Sequence, residues 1–133
     1  MHKLYIKTAA FLGALTVAMG AFGAHKLKSL VAETVVNTYE TGIKYQFYHV
    51  IALLLTGILY KEFNNKFIKV AGVFFIVGMI FFSGSLYLLT YKEALVLPGL
   101  KWVGPITPLG GLCFIIGWIC LGLGVGKNIK SSV

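Results

Sequence analysis

Four apolar stretches run along the chain at 8–24, 45–60, 70–91 and 108–126, each flanked by lysine. At about 1.5 Å of rise per helical residue they reach about 24 to 33 Å, enough for a bilayer's hydrocarbon core once neighbouring residues prolong them. The pattern predicts an all-α membrane protein: one integral membrane domain, residues 1–133, with four transmembrane helices in an antiparallel up-down bundle. The second stretch is the shortest and carries Gln46 and His49, yet Leu53, Leu54 and Leu55 and the tyrosines at its ends place it across the membrane rather than along its surface. The N-terminal stretch also has the outline of a secretory signal, with Lys3 and Lys7 ahead of it and Ala21-Phe22-Gly23 behind it. That reading would leave three spans; the regular spacing of its small residues favours a packed helix.

The connectors differ. Residues 61–69 (KEFNNKFIK) form a tight polar turn centred on Asn64-Asn65, whereas residues 26–44 are long enough for a separate helix or for prolonging the flanking ones. The third connector, KEALVLPGLKWVG, mixes apolar residues with a Pro98-Gly99 turn and Trp102, a composition suited to the membrane interface. Thr107 followed by Pro108 signals the start of the fourth helix, and the prolines and paired glycines of GPITPLGG put regular helix only from about Leu109.

Composition sharpens this picture. Hydrophobic residues make up 58% and charged ones 12% of 133, about half the charge of a soluble domain, and the short connectors leave no room for a separate soluble catalytic or nucleic-acid-binding domain. The net charge of +8 comes from twelve basic residues that are all lysine and sit at the ends of apolar runs. Lysines so placed anchor a span by laying their stems along the acyl boundary, and lipid headgroups rather than nucleic acid are their expected partners. For four spans, Lys3, Lys7, Lys61, Lys66, Lys69, Lys127 and Lys130 fall on one side, against Lys26, Lys28, Lys44, Lys92 and Lys101 on the other. Seven against five predicts a multi-pass membrane protein with both termini cytoplasmic. Cys113 and Cys120 share one helical face about 10 Å apart along the axis, too far to bridge, and read as packing residues.

Polar residues inside the spans carry the candidate chemistry. On the first helix Ala10, Ala14, Ala18, Ala21 and His25 follow one stripe, expected to face inward. Gly42, Gln46, His49, Leu53, Thr56 and Tyr60 form a stripe on the second helix, with Tyr45 one turn before His49; Ser83 and Tyr87 lie one turn apart on the third. Alternating helix directions then gather His25, His49, Ser83, Tyr87 and Thr107 near one membrane surface, leaving the other half of the bundle apolar. The candidate ligand site is therefore His25, Glu40, Tyr45, Gln46, His49, Ser83, Tyr87, Thr107, Gly110 and Gly111. Free amides around Gly110 and Gly111 and the helix dipole would hold an anionic group, with the two histidines donating hydrogen bonds and Glu40 joining if the second helix begins early.

Three classes of function are compatible with such a cluster. In the first, its members satisfy one another and the protein is a structural or assembly partner, pairing with a membrane protein or with its own copies through small-residue faces, the fourth helix's Gly117, Gly122, Gly124 and Gly126 among them. In the second, a lipid headgroup, quinone-like small molecule or anion binds at the polar end, since the apolar opposite half offers no path for transport. The third, haem between His25 and His49 or hydrolysis by Ser83 with a histidine base, has least support. With no HExxH and no aspartate, neither a metal centre nor a catalytic residue is assigned, and no cofactor is expected.

GAFGAH at 20–25, YETGIKYQFYH at 39–49, FSGSLY at 82–87, GPITPLGG and the Gly117-Trp118 pair resemble, in this order and over nearly the whole chain, domain-of-unknown-function family 423. The resemblance implies a four-helix inner-membrane protein with homologues in bacteria and in animals. It implies no reaction, substrate or catalytic residue.

Overall fold

The structure, a computed structural model, describes residues 1–99 and 101–126. Leu100 of the third connector, and Lys127 and Lys130 from the lysine count, lie outside the described residues. The described residues form five α-helices and no strand: α1 Lys3–His25, α2 Glu33–Leu59, α3 Lys66–Gly78, α4 Gly84–Ala94 and α5 Ile106–Gly126. A wide π turn, Met79–Ser83, joins α3 and α4 into one rod, so four rods are long and apolar enough to cross a membrane. They alternate in direction. The His2 amide donates to the Gly57 carbonyl at 2.8 Å, and Asn65 Nδ2 to the Gly124 carbonyl at 2.8 Å, which brings the start of α1, the ends of α2 and α5 and the start of α3 to one face, the N-terminal face. Asn65 also caps α3, its Oδ1 accepting from the Phe67 and Ile68 amides at 3.0 and 3.2 Å, as an N-cap asparagine does for otherwise unpaired first-turn donors.

The closest packing is a seam between the third rod and α5. Ile68, Phe75 and Phe82 recur every seven residues and meet Gly124, Gly117 and Gly110, which recur at the same interval on the antiparallel helix. A Cβ on Gly110 would collide with the Phe82 backbone, and one on Gly117 with the Phe75 ring. Small residues allow this backbone approach where lipid removes the hydrophobic incentive for helices to pair. Gly117 and Gly124 are thus consumed inside the bundle, and of the four glycines expected to await another helix only Gly122 and Gly126 are exposed. Leu53, Ile68, Ala71 and Phe75 fill the half of the core nearer the N-terminal face.

Three local expectations change. Of the two options for residues 26–44 the chain takes prolongation: after a short 3-10 turn at Leu27–Ser29, α2 begins at Glu33, twelve residues before the apolar run. Val36, Tyr39 and Gly42 continue its buried stripe at helical spacing, so the threonines, Asn37 and Glu40 between them ride on an amphipathic helix. Second, α5 begins at Ile106 rather than about Leu109. Pro108 lies in the first turn, where an amide would have had no carbonyl to reach, so its ring costs the helix no hydrogen bond. Third, the Ala10, Ala14, Ala18 and Ala21 stripe with His25 is exposed, and α1 instead buries Tyr5, Ala9, Thr16 and Gly23. Both stripes are small enough to pack. Polar partners decide between them: Thr16 meets Gln46, the Tyr5 hydroxyl reaches the Lys69 carbonyl at 2.7 Å, and Tyr39 lies over Gly23 and donates to the Met19 carbonyl at 2.8 Å. Unpaired in lipid, each such group would cost several kcal/mol.

Candidate functional site

Because α2 starts early, Gln46 and His49 stand near the middle of a helix about 40 Å long rather than one turn from its end. The polar groups therefore form two knots at mid-depth and a third nearer the far face, instead of one layer beneath one leaflet. This overturns the expected single layer.

The first knot is a hydrogen-bond chain across three rods. Tyr87 Oη donates to Gln46 Oε1 at 2.9 Å, Gln46 Nε2 donates to Thr16 Oγ1 at 2.7 Å, and the Thr16 hydroxyl donates to the Leu12 carbonyl at 2.6 Å. Beside it the Ser83 hydroxyl donates to the Gly42 carbonyl at 2.8 Å, and the Tyr87 ring covers Gly42, which has no side chain to keep it away. Gln46 is 5% exposed and Ser83 fully buried.

The second knot faces α5. His49 lies flat on Phe114, ring centroids 3.4 Å apart and planes 6° apart. Its Nδ1 is 2.7 Å from the Tyr45 carbonyl and its Nε2 3.2 Å from Trp118 Nε1. An indole N–H only donates and a carbonyl only accepts, so the pair fixes the tautomer: neutral, with the proton on Nδ1 and the lone pair on Nε2. Tyr45 packs on Phe82 at 4.6 Å, and its hydroxyl makes no hydrogen bond among the described residues.

The third knot closes the far end of the α4–α5 contact. Ser85 Oγ donates to the Phe82 carbonyl at 2.8 Å and lies 2.6 Å from Thr107 Oγ1. With the serine proton committed, the threonine is the donor of the second bond.

Of the ten candidate residues, the structure joins Gln46 to Tyr87, sets Ser83 beside them, joins Tyr45 to His49, and gives Thr107 a separate partner. It does not gather the rest. His25 is exposed at the end of α1 and its side chain is hydrogen-bonded to none of the described residues, so the two imidazoles do not converge on a common ligand. Glu40 lies on the outer side of α2, 3.9 Å from Lys28 Nζ, because the helix that begins early turns it away from Gly42 and Gln46. Gly110 and Gly111 stand in the second turn of α5, where amides bond back to the first turn, and Gly110 is occupied by Phe82; neither offers a free amide to an anion.

Two participants escaped the sequence reading, Thr16 and Ser85. Each left a signal, a lone hydroxyl in an Ala/Gly-rich run and a second serine two residues after Ser83, whereas Trp118 stands out in the sequence as an indole far from the interfacial belt, a position suited to a partner or lipid contact, and its N–H meets His49 inside the chain. Among the described residues, one buried side-chain polar atom has no partner, Nδ1 of His2, at the N-terminal face and stacked on Tyr5 at 3.8 Å.

Comparison with known proteins places these features in a family context. The family described as "Protein of unknown function (DUF423)" matches residues 19–111. A UPF0382 membrane protein of Staphylococcus aureus is 41% identical over 119 residues, covering 90% of this chain and 92% of the relative. One from Haemophilus influenzae is 36% identical over 128 residues, with 96% and 98% coverage, and one from Bacillus subtilis is 35% identical over 120 residues, with 90% and 93%. No solved structure matches.

Proposed function

The chain belongs to the DUF423 family of membrane proteins, and from that premise we propose that it is a structural accessory of the inner membrane, acting by lateral association with a membrane protein or with its own copies. The observation that carries this reading is the closure of the interior: Gln46, His49, Ser83, Thr16 and Thr107 all bond to protein groups. A transporter keeps polar groups available along a route, whereas here the half nearer the N-terminal face is filled by Leu53, Ile68, Ala71 and Phe75. The lysine bias supports cytoplasmic termini.

The test has two parts. Protein reconstituted in phosphatidylcholine liposomes passes no more potassium, protons or neutral solute than empty vesicles do, and protein extracted in native lipid discs runs with a stoichiometric partner or as an oligomer. Solute flux from a chain that leaves the native membrane as a monomer would overturn the proposal.

A further inference from the structure

The seam that draws α5 against the third rod leaves a groove on its other flank, between α5 and α2, of roughly 630 Å³ and open sideways toward the bilayer. Tyr45, His49, Phe82, Phe114 and Trp118 line it, with Gly111 at its rim. We propose that this groove binds a neutral, flat, carbonyl-bearing ring carried on a hydrophobic chain, the chemistry of a prenylated quinone, received laterally from the membrane.

Shape supports the flat ring. The volume falls within the usual range for small-molecule sites, and the walls are aromatic faces: His49 and Phe114 stack in parallel, and Tyr45 inclines only 26° from Phe114. An acyl chain needs no such walls, and ring stacking favours a conjugated plane. Hydrogen bonding supports the carbonyls. With the histidine tautomer fixed and the Trp118 N–H committed to His49 Nε2, the polar group of the lining left to a ligand is a donor, the Tyr45 hydroxyl, without a partner among the described residues. No lysine lines the groove, so an anion would be buried without a countercharge.

Gly111 adds an independent sign. Gly110, Gly117 and Gly124 are glycine because the seam leaves no space for a Cβ, but a Cβ on Gly111 would meet only the Phe82 ring at 3.8 Å, an ordinary contact. Packing does not demand glycine there, and the missing side chain is what holds the rim open.

The experiment uses the full chain with Trp102→Phe, so that Trp118 is the only fluorophore of its kind, in phosphatidylcholine nanodiscs titrated with decylubiquinone. Expected is saturable quenching of Trp118, with apparent affinity at least tenfold weaker in Gly111→Leu, which fills the rim, and several-fold weaker in Tyr45→Phe, which removes one donor and keeps the ring. Gly122→Leu puts the same side chain on the same helix where a Cβ meets nothing within 4 Å, and retains the parental affinity. All variants are compared by thermal unfolding, so that a misfolded one is recognised and replaced by Gly111→Val. Quenching linear in membrane quinone, or equal in Gly111→Leu and Gly122→Leu, overturns the proposal, as does a groove already covered by a second copy cross-linked through position 115. A second copy over the groove would overturn this proposal while supporting lateral association, and a partner seated elsewhere leaves both standing, so the two proposals fail separately.

Discussion

Gln46 and His49 are three residues apart on one helix, at nearly the same depth, and both are 5% exposed, yet their surroundings are opposite in kind. Gln46 lies where α1, α2 and α4 meet, and its hydrogen-bond chain ends on a backbone carbonyl of α1. His49 is buried only by its aromatic neighbours, and its partner Trp118 borders lipid. The same polar content therefore serves cohesion at one position and access at the other, and what separates them is the kind of neighbour: three rods meet at each, but Gln46 is held by hydroxyls of α1 and α4, and His49 by the rings of Phe75, Phe114 and Trp118.

That contrast can be broken, and the largest effect should come from the seam that creates it. Gly110→Val drives a side chain into the Phe82 backbone and should destabilise the bundle by about 3 kcal/mol or more in reversible unfolding from mixed micelles, where Gly122→Val should stay within about 0.5 kcal/mol. Next, Gln46→Leu leaves the Tyr87 hydroxyl without its acceptor in an apolar surrounding and should cost about 2 kcal/mol by the same measurement. His49→Leu also destabilises, by about 1 to 2 kcal/mol, and a double-mutant cycle with Trp118→Phe should return a coupling of about 0.6 to 1.7 kcal/mol, the range for hydrogen bonds between membrane helices. A coupling equal to that between Gln46 and Tyr87 would erase the distinction between the two knots. Cys113→Ala, at a half-buried position outside both, should change stability by only about 0.5 kcal/mol.

Hydropathy alone made the four rods, their directions and the stripe on α2 legible, because a chain in lipid must satisfy its backbone internally and only long helices do so here. Residue spacing along single helices also foretold that Ser83, Tyr87, Gln46 and His49 would point into the bundle. What it could not give was the depth of those groups, since that depended on where α2 begins, and the polar residues at 33–44 fit a separate helix as well as a prolonged one. Nor could it choose between the two small-residue stripes of α1. That choice rests on which one carries a hydroxyl able to meet Gln46, a relation between helices that no single-helix periodicity contains. The α5 glycines were visible and misassigned: their seven-residue interval matches Ile68, Phe75 and Phe82, and the match is with a neighbour inside the chain rather than outside it.

The π turn at Met79–Ser83 has a genetic consequence. Such a turn is the footprint of one extra residue in an otherwise regular helix, so deleting a single codon there would give a smoother rod with every downstream side chain rotated by about 100°. Leu86, Tyr87 and Thr90, now turned inward, would swing toward the acyl chains while hydropathy stayed almost unchanged. A reading frame shortened by three bases at this point would encode a protein that still inserts and no longer assembles its interior.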